Sequence, residues 1–179
     1  YIVGPYGFGK TSTAGKVWYL LEEDNYIATP PIYFDELQSI VDAVYGWLKY
    51  RLRARDDLLE RLDEIYESKA TNNIEDIVSS TDLENKDAVM NEFQGLIEEG
   101  SVDIEFSVNH VLEFLSECNQ LVKEAGFDGL IILADELQQF VANHSSDKEA
   151  YSDLRDLAKS IALGLNDGDG LGLLFTMDD

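Results

Sequence analysis

The sequence predicts an α/β protein, a parallel sheet between two layers of helices, with a helical insertion before the strand that ends in an acidic pair. Three observations carry this prediction. Ile2-Val3 leads into Gly4-Pro5-Tyr6-Gly7-Phe8-Gly9-Lys10-Thr11, a G-x-x-x-x-G-K-T spacing, and a helical pattern follows at once. Far downstream, Leu130-Ile131-Ile132-Leu133-Ala134 is an unbroken apolar run ending in Asp135-Glu136. Between and after these runs, strand and helix patterns alternate, which favours parallel pairing with both sheet faces covered.

In chain order, the first strand is the apolar start of the chain. Residues 11–23 read as a helix with Val17, Leu20 and Leu21 on one face. A second strand spans 27–34, and its Pro30-Pro31 pair places it at a strand end or sheet edge. The insertion, about 35–106, opens with Leu37, Ile40, Val41, Val44, Trp47 and Leu48 at helical spacing. A break is expected near Asp56-Asp57, after which Leu58, Leu62, Ile65 and Tyr66 resume the period. Thr71-Asn72-Asn73 reads as a turn, and Thr81-Asp82-Leu83-Glu84 as a capping box opening a short helix that ends near Gly95 or Gly100. Ser107 is placed to cap a helix carrying Val111, Leu112, Leu115 and Leu121, with Cys118 on its apolar face, and Gly126-Phe127-Asp128-Gly129 ends it. A further helix over about 147–165 and a turn over 166–170 lead to a last buried strand, Leu173-Leu174-Phe175-Thr176-Met177.

Glycines at 4, 7 and 9 let the backbone curl around phosphate oxygens, while its N–H groups and the following helix N-terminus supply positive potential. Gly4, Pro5, Tyr6, Gly7, Phe8, Gly9, Lys10, Thr11 and Ser12 are therefore the candidate phosphate-binding set. Lys10 is expected to bridge the β- and γ-phosphates, and Thr11 to place its hydroxyl on Mg²⁺. Asp135 is the second candidate for magnesium, directly or through water, and Glu136 the candidate general base or water-orienting group. Thr176, at the end of the last strand, either senses the γ-phosphate or helps hold the attacking water, or is an ordinary satisfied strand-end threonine. Asp178 is a weaker alternative. Without the glycine-rich loop, an apolar run before Asp-Glu would as readily be a plain strand entering a capped helix.

Other residues read as structural. Gln138 and Gln139 follow the acids and could contact nucleotide or a neighbouring subunit, but a solvated helix face is the favoured reading. His110 and His144 lack ligand spacing with other His or Cys residues, so no metal beyond Mg²⁺ is expected. Lys49, Arg51, Arg53 and Arg55, interleaved with Trp47 and Tyr50, form the one basic cluster. On a single helix Arg51 and Arg55 would share a face, as would Lys49 and Arg53. The cluster could meet nucleic-acid phosphates, but pairing with acids such as Asp56, Asp57 and Glu60 is the favoured reading.

The 179 residues suffice for one domain with a sizeable core, and no apolar stretch approaches a membrane span. The lone Cys118 excludes an internal disulfide and suits a reducing cytoplasm. Thirty-six acids against 13 bases leave a formal charge of −23, which repels nucleic acid as a whole. The acids are spread along the chain, as in a protein adapted to high salt; a dedicated acidic docking face would be more clustered. Both ends fall beside strands, so the chain reads as a core within a larger protein.

The combination GPYGFGKT, LIILADELQQF and LGLLFTMDD resembles the AAA+ and STAND-like branch of P-loop ATPases. Within that branch it resembles BREX-type ATPases of bacterial and archaeal phage defence, and more distantly archaeal origin-recognition initiator ATPases. The likeness lies in the loop and the acidic strand, is looser at the last strand, and does not reach the insertion. It implies a three-layer P-loop NTPase fold and an ATPase core that uses ATP and Mg²⁺. It further implies other domains of the same protein, neighbouring ATPase subunits and DNA as partners. By position it assigns Lys10 and Thr11 to phosphate and magnesium, Asp135 to magnesium, Glu136 to water activation and Thr176 to sensing. Three functions follow as expectations: an ATPase that moves attached domains, a nucleotide-gated switch with slow or no hydrolysis, and a nucleic-acid-binding module. No N-K-x-D is present, which favours adenine over guanine.

Overall fold

The computed structural model describes residues 2–4, 9–34, 37–80, 106–143, 148–166 and 169–178. Their elements follow in the order β1 (Ile2–Gly4), α1 (Lys10–Glu23), β2 (Ile27–Ala28), β3 (Ile32–Tyr33), α2 (Leu37–Arg51), α3 (Asp56–Ser80), α4 (Val108–Glu124), β4 (Leu130–Asp135), α5 (Leu137–Asn143), α6 (Lys148–Asn166) and β5 (Gly172–Asp178). The sheet order is β1-β5-β4-β2, with β3 also on β4, and every described pairing is parallel. The last strand thus lies between the strand that enters the glycine-rich loop and the strand that ends in the acidic pair. Among the described residues, no helix is long and apolar enough to cross a membrane.

The expected second strand is two short pieces on the β4 side of the sheet. Ala28 pairs with Ile131 and Ile32 with Ala134, so Thr29, Pro30 and Pro31 face only Ile132 and Leu133. This is a bulge of one residue. Prolines have no N–H to give, so the ladder is broken here; across the break the hydroxyl of the fully buried Thr29, in place of a strand carbonyl, accepts from the Leu133 N–H at 2.9 Å.

Alternation along β4 divides the sheet into two faces. Leu130, Ile132 and Ala134 join the main core with α2, α3 and α4, whose buried positions include Ile40, Val44, Leu62, Val111 and Leu115. Asp135 falls on the other face, where α1 lies. That helix turns Ala14, Val17, Trp18 and Leu21 inward at helical spacing, and the Trp18 indole donates to the Ala28 carbonyl at 2.9 Å. Leu20, expected on the packed face with Val17 and Leu21, is 47 % exposed because it lies outside this 14-17-18-21 stripe.

The break after α2 begins at Leu52, and Arg55 accepts the first hydrogen bonds of α3, from the Leu58 and Leu59 N–H groups. Asp56 and Asp57 then sit in the first turn of α3, favourable for the helix dipole. The turn expected at Thr71-Asn72-Asn73 does not occur. The helix runs through it, since Thr and Asn cost only a few tenths of a kcal/mol each and no Gly or Pro interrupts the register. The capping box at Thr81 and the helix expected after it lie outside the described residues. Ser107 does cap α4, accepting from the His110 N–H while its hydroxyl lies 2.8 Å from His110 Nδ1. Cys118 is fully buried in that helix, and burial pushes its thiol well above the ordinary range, which suits packing and not nucleophilic chemistry.

At the end of the sheet away from the acidic pair, two connections touch backbone to backbone. A Cβ on Gly129 would lie 2.0 Å from the Gly170 carbonyl oxygen, and Gly170 itself has φ +75°. The buried Asn119 fastens this approach, donating to the Asp169 carbonyl at 2.8 Å and accepting from the Leu130 N–H at 3.0 Å. The close contact holds β4 and β5 in the register that brings Asp135 beside Thr176 at the other end.

Candidate functional site

β1, α1, β4 and β5 converge at the C-terminal edge of the sheet. Gly9 ends the glycine-rich segment with φ +77° and stands at the N-cap of α1, a left-handed conformation that glycine adopts without strain. Its carbonyl accepts from the Thr13 N–H at 2.9 Å, so the helix starts directly behind the loop. Lys10 reaches back and donates from Nζ to the Gly4 carbonyl at 2.9 Å, linking the start of α1 to the end of β1. Pro5, Tyr6, Gly7 and Phe8 lie outside the described residues. Ser12 is exposed in the first turn of α1.

Thr11 ties this loop to the acidic strand. Its hydroxyl donates to Asp135 Oδ2 at 2.7 Å across 124 positions of sequence. The other carboxylate oxygen, Oδ1, accepts from the Thr176 hydroxyl and from the Glu136 N–H at 3.1 Å. The Glu136 N–H also lies 3.3 Å from Thr176 Oγ1. Asp135 is 9 % exposed and Thr176 2 %, so this carboxylate is satisfied by hydroxyl and amide donors in a largely dry place. Thr176 therefore lies in the same hydrogen-bonded cluster as Asp135 and Thr11.

Glu136 is one of two non-glycine residues with positive φ among the described residues, at φ 60°. Its carboxylate makes no hydrogen bond among the described residues, and the side chain is half-buried. It follows a strand and precedes α5, so the left-handed residue turns the chain sharply, and its backbone N–H meets the Asp135 and Thr176 oxygens.

Magnesium fits this donor set. It prefers hard oxygen ligands, keeps several waters and takes only one or two protein carboxylates. The Thr11 hydroxyl and Asp135 carboxylate, 2.7 Å apart at the loop, are such oxygens. No group of three or more His, Cys, Asp or Glu suited to a metal occurs among the described residues. No family model, curated protein or solved structure matches the chain.

Three of the four residues of the basic cluster pair with acids of the fold, partly different ones from those expected. Lys49 pairs with Asp63 at 2.9 Å and Arg55 with Asp57 at 3.0 Å, while Arg51 pairs with Glu22 of α1. Arg53 donates to the Tyr50 carbonyl and lies over the Tyr50 ring, 4.3 Å from its centre. The helical grouping of Arg51 with Arg55 fails because α2 ends at Arg51 and residues 52–54 form a turn. Gln138 and Gln139 are half-buried and not a solvated face, and the Gln139 N–H returns to the Glu136 carbonyl at 2.8 Å. Arg155 is exposed and donates to Asp156 at 3.1 Å. His144 and the side chain of Asp178 lie outside the described residues. Thr29 went unnoticed in the sequence; a buried threonine before Pro-Pro becomes a signal only once the pairing with β4 is known.

Proposed function

We propose that this chain is the core of a P-loop ATPase of the AAA+ and STAND-like branch. It would bind ATP with Mg²⁺ and hydrolyse it to drive movement of attached domains. The observation that carries this reading is the Thr11–Asp135 hydrogen bond, which joins a G-x-x-x-x-G-K-T segment to the acidic end of a buried parallel strand. The position of β5 between β1 and β4, with Thr176 on the same carboxylate, adds support.

On this reading the loop amides and the α1 N-terminus bind the phosphates. Lys10 exchanges its contact with the Gly4 carbonyl for the β- and γ-phosphate oxygens. Thr11 and Asp135 hold magnesium, which when bound neutralises charge on the β- and γ-phosphates. Glu136 orients a water and takes its proton as the water oxygen attacks the γ-phosphorus. The bond to the β-phosphate oxygen breaks and leaves ADP and phosphate. Thr176, bonded to both Asp135 and the Glu136 amide, keeps the two acids in register and can register the loss of the γ-phosphate.

A multi-domain protein of antiviral defence or another DNA transaction, working in a salt-rich cytoplasm, is the setting that this reading and the acidic composition suggest. DNA and neighbouring subunits would be met through the rest of such a protein, since Lys49, Arg51 and Arg55 of the basic cluster are paired with acids within the fold.

The test is nucleotide binding and turnover with Mg²⁺ at low and multimolar KCl. Lys10→Ala should abolish both. Glu136→Gln should keep ATP bound while lowering turnover by about 10²- to 10⁴-fold, the range for loss of a general base. Binding without turnover in the parent would favour the nucleotide-gated switch; no binding in either salt would remove the proposal.

A further inference from the structure

Behind the acidic edge, on the opposite sheet face, three aromatic rings meet. Phe34 follows the last residue of β3, Phe175 precedes Thr176 on β5, and Phe140 lies on α5 one turn beyond Glu136. Phe34 and Phe140 stack with centroids 5.0 Å apart and planes at 17°, and Phe175 tilts against Phe34 at 5.5 Å. Phe34 is fully buried and Phe140 1 % exposed. The three elements that frame Glu136 are thus joined by one packed unit.

Three backbone groups around Glu136 are held by hydrogen bonds. The Asp135 carbonyl accepts from the Phe34 N–H at 3.0 Å. The amide on the other side of that same peptide donates to Asp135 Oδ1. The Glu136 carbonyl accepts from the Gln139 N–H at 2.8 Å. A glutamate at φ 60° is costly and persists only where its surroundings over-determine it. The hydrogen bonds fix the peptide planes, and the stacked ring fixes the direction in which α5 leaves.

We propose that Phe140 is a positioning residue: its stack on Phe34 holds the left-handed turn that presents the Glu136 carboxylate to the phosphate site. The inference rests on the reading of Glu136 as the water-activating group. With the ring shortened, α5 can tilt, Glu136 can relax toward ordinary φ values, and the carboxylate leaves its place while the loop that binds phosphate is untouched.

The test is a double-substitution cycle of Glu136→Gly and Phe140→Leu, read in urea unfolding and in ATP kinetics. Leucine keeps the site apolar and leaves a smaller cavity than alanine, so it is the substitution used. Glycine relieves the left-handed strain, so Glu136→Gly should raise the unfolding midpoint of the parent. In the Phe140→Leu background the strain is already partly released, and the rise should be less than half as large. In turnover, Phe140→Leu should lower kcat at least tenfold and leave KM within threefold; a merely structural role would lower the midpoint without splitting kcat from KM. Equal midpoint shifts in both backgrounds would overturn the positioning role, whether or not the isolated chain turns over ATP. Absence of any ATP binding sensitive to Lys10→Ala would instead overturn the functional reading, and with it the purpose for which Glu136 is held.

Discussion

Gly129→Ala offers a sharp test of how the far end of the sheet sets the site. The new Cβ would meet three backbone atoms of Gly170, its oxygen at 2.0 Å, carbon at 2.7 Å and Cα at 2.9 Å. No flexible side chain can yield, so the two connections must separate by about 1.4 Å to bring the 2.0 Å approach to an ordinary 3.4 Å contact. Overpacking of this kind costs about 1–3 kcal/mol. The separation also pulls Asp169 from Asn119, which accepts from the buried Leu130 N–H and donates to the Asp169 carbonyl. Weakening that bridge adds about 1–2 kcal/mol. The sum, about 2–5 kcal/mol, is a large share of the stability of an ordinary domain. Urea unfolding followed by the fluorescence of Trp18 and Trp47, the only two tryptophans, measures it. A loss below about 0.5 kcal/mol, the size of an ordinary surface change, would refute the reasoning.

Three other outcomes are expected. Thr176→Val keeps shape but leaves one oxygen of the buried Asp135 short of its hydroxyl donor, and should cost about 1–3 kcal/mol in urea unfolding, while Thr176→Ser should restore most of it. Glu113 is held below the usual carboxylate range by its hydrogen bond from Lys69. A depressed carboxylate contributes stability that is present above its unfolded value of 4.5 and is lost as pH falls through the folded value. The advantage of the parent over Glu113→Gln should therefore be level from neutral pH down to about pH 5 and vanish in more acidic buffer; an advantage that grows on acidification would contradict the assignment. With a net charge of −23, raising KCl from about 0.1 M to about 1 M shortens the screening length from about 10 Å to about 3 Å and should raise the thermal midpoint. A midpoint that falls would show that the ion pairs outweigh the repulsion.

Local patterns were legible without a structure. The helix that starts at Lys10, the apolar strand ending in Asp135, the Ser107 cap and the buried stripe of α4 all depend on residues within a few positions of one another. Periodicity and capping chemistry report such features directly. Even so, local signals misled where packing overrode them, at Thr71-Asn72-Asn73, where α3 continues, and at Leu20, which points to solvent. Only the tertiary structure decided what lies beside what. That β5 enters between β1 and β4, that Thr176 therefore bonds to Asp135, that the Thr29 hydroxyl accepts from the Leu133 N–H, and that Phe140 stacks on Phe34 are pairings between residues tens of positions apart. Their energies come from hydrogen bonds and ring contacts that form only after the sheet order is set, so no window of sequence carries them.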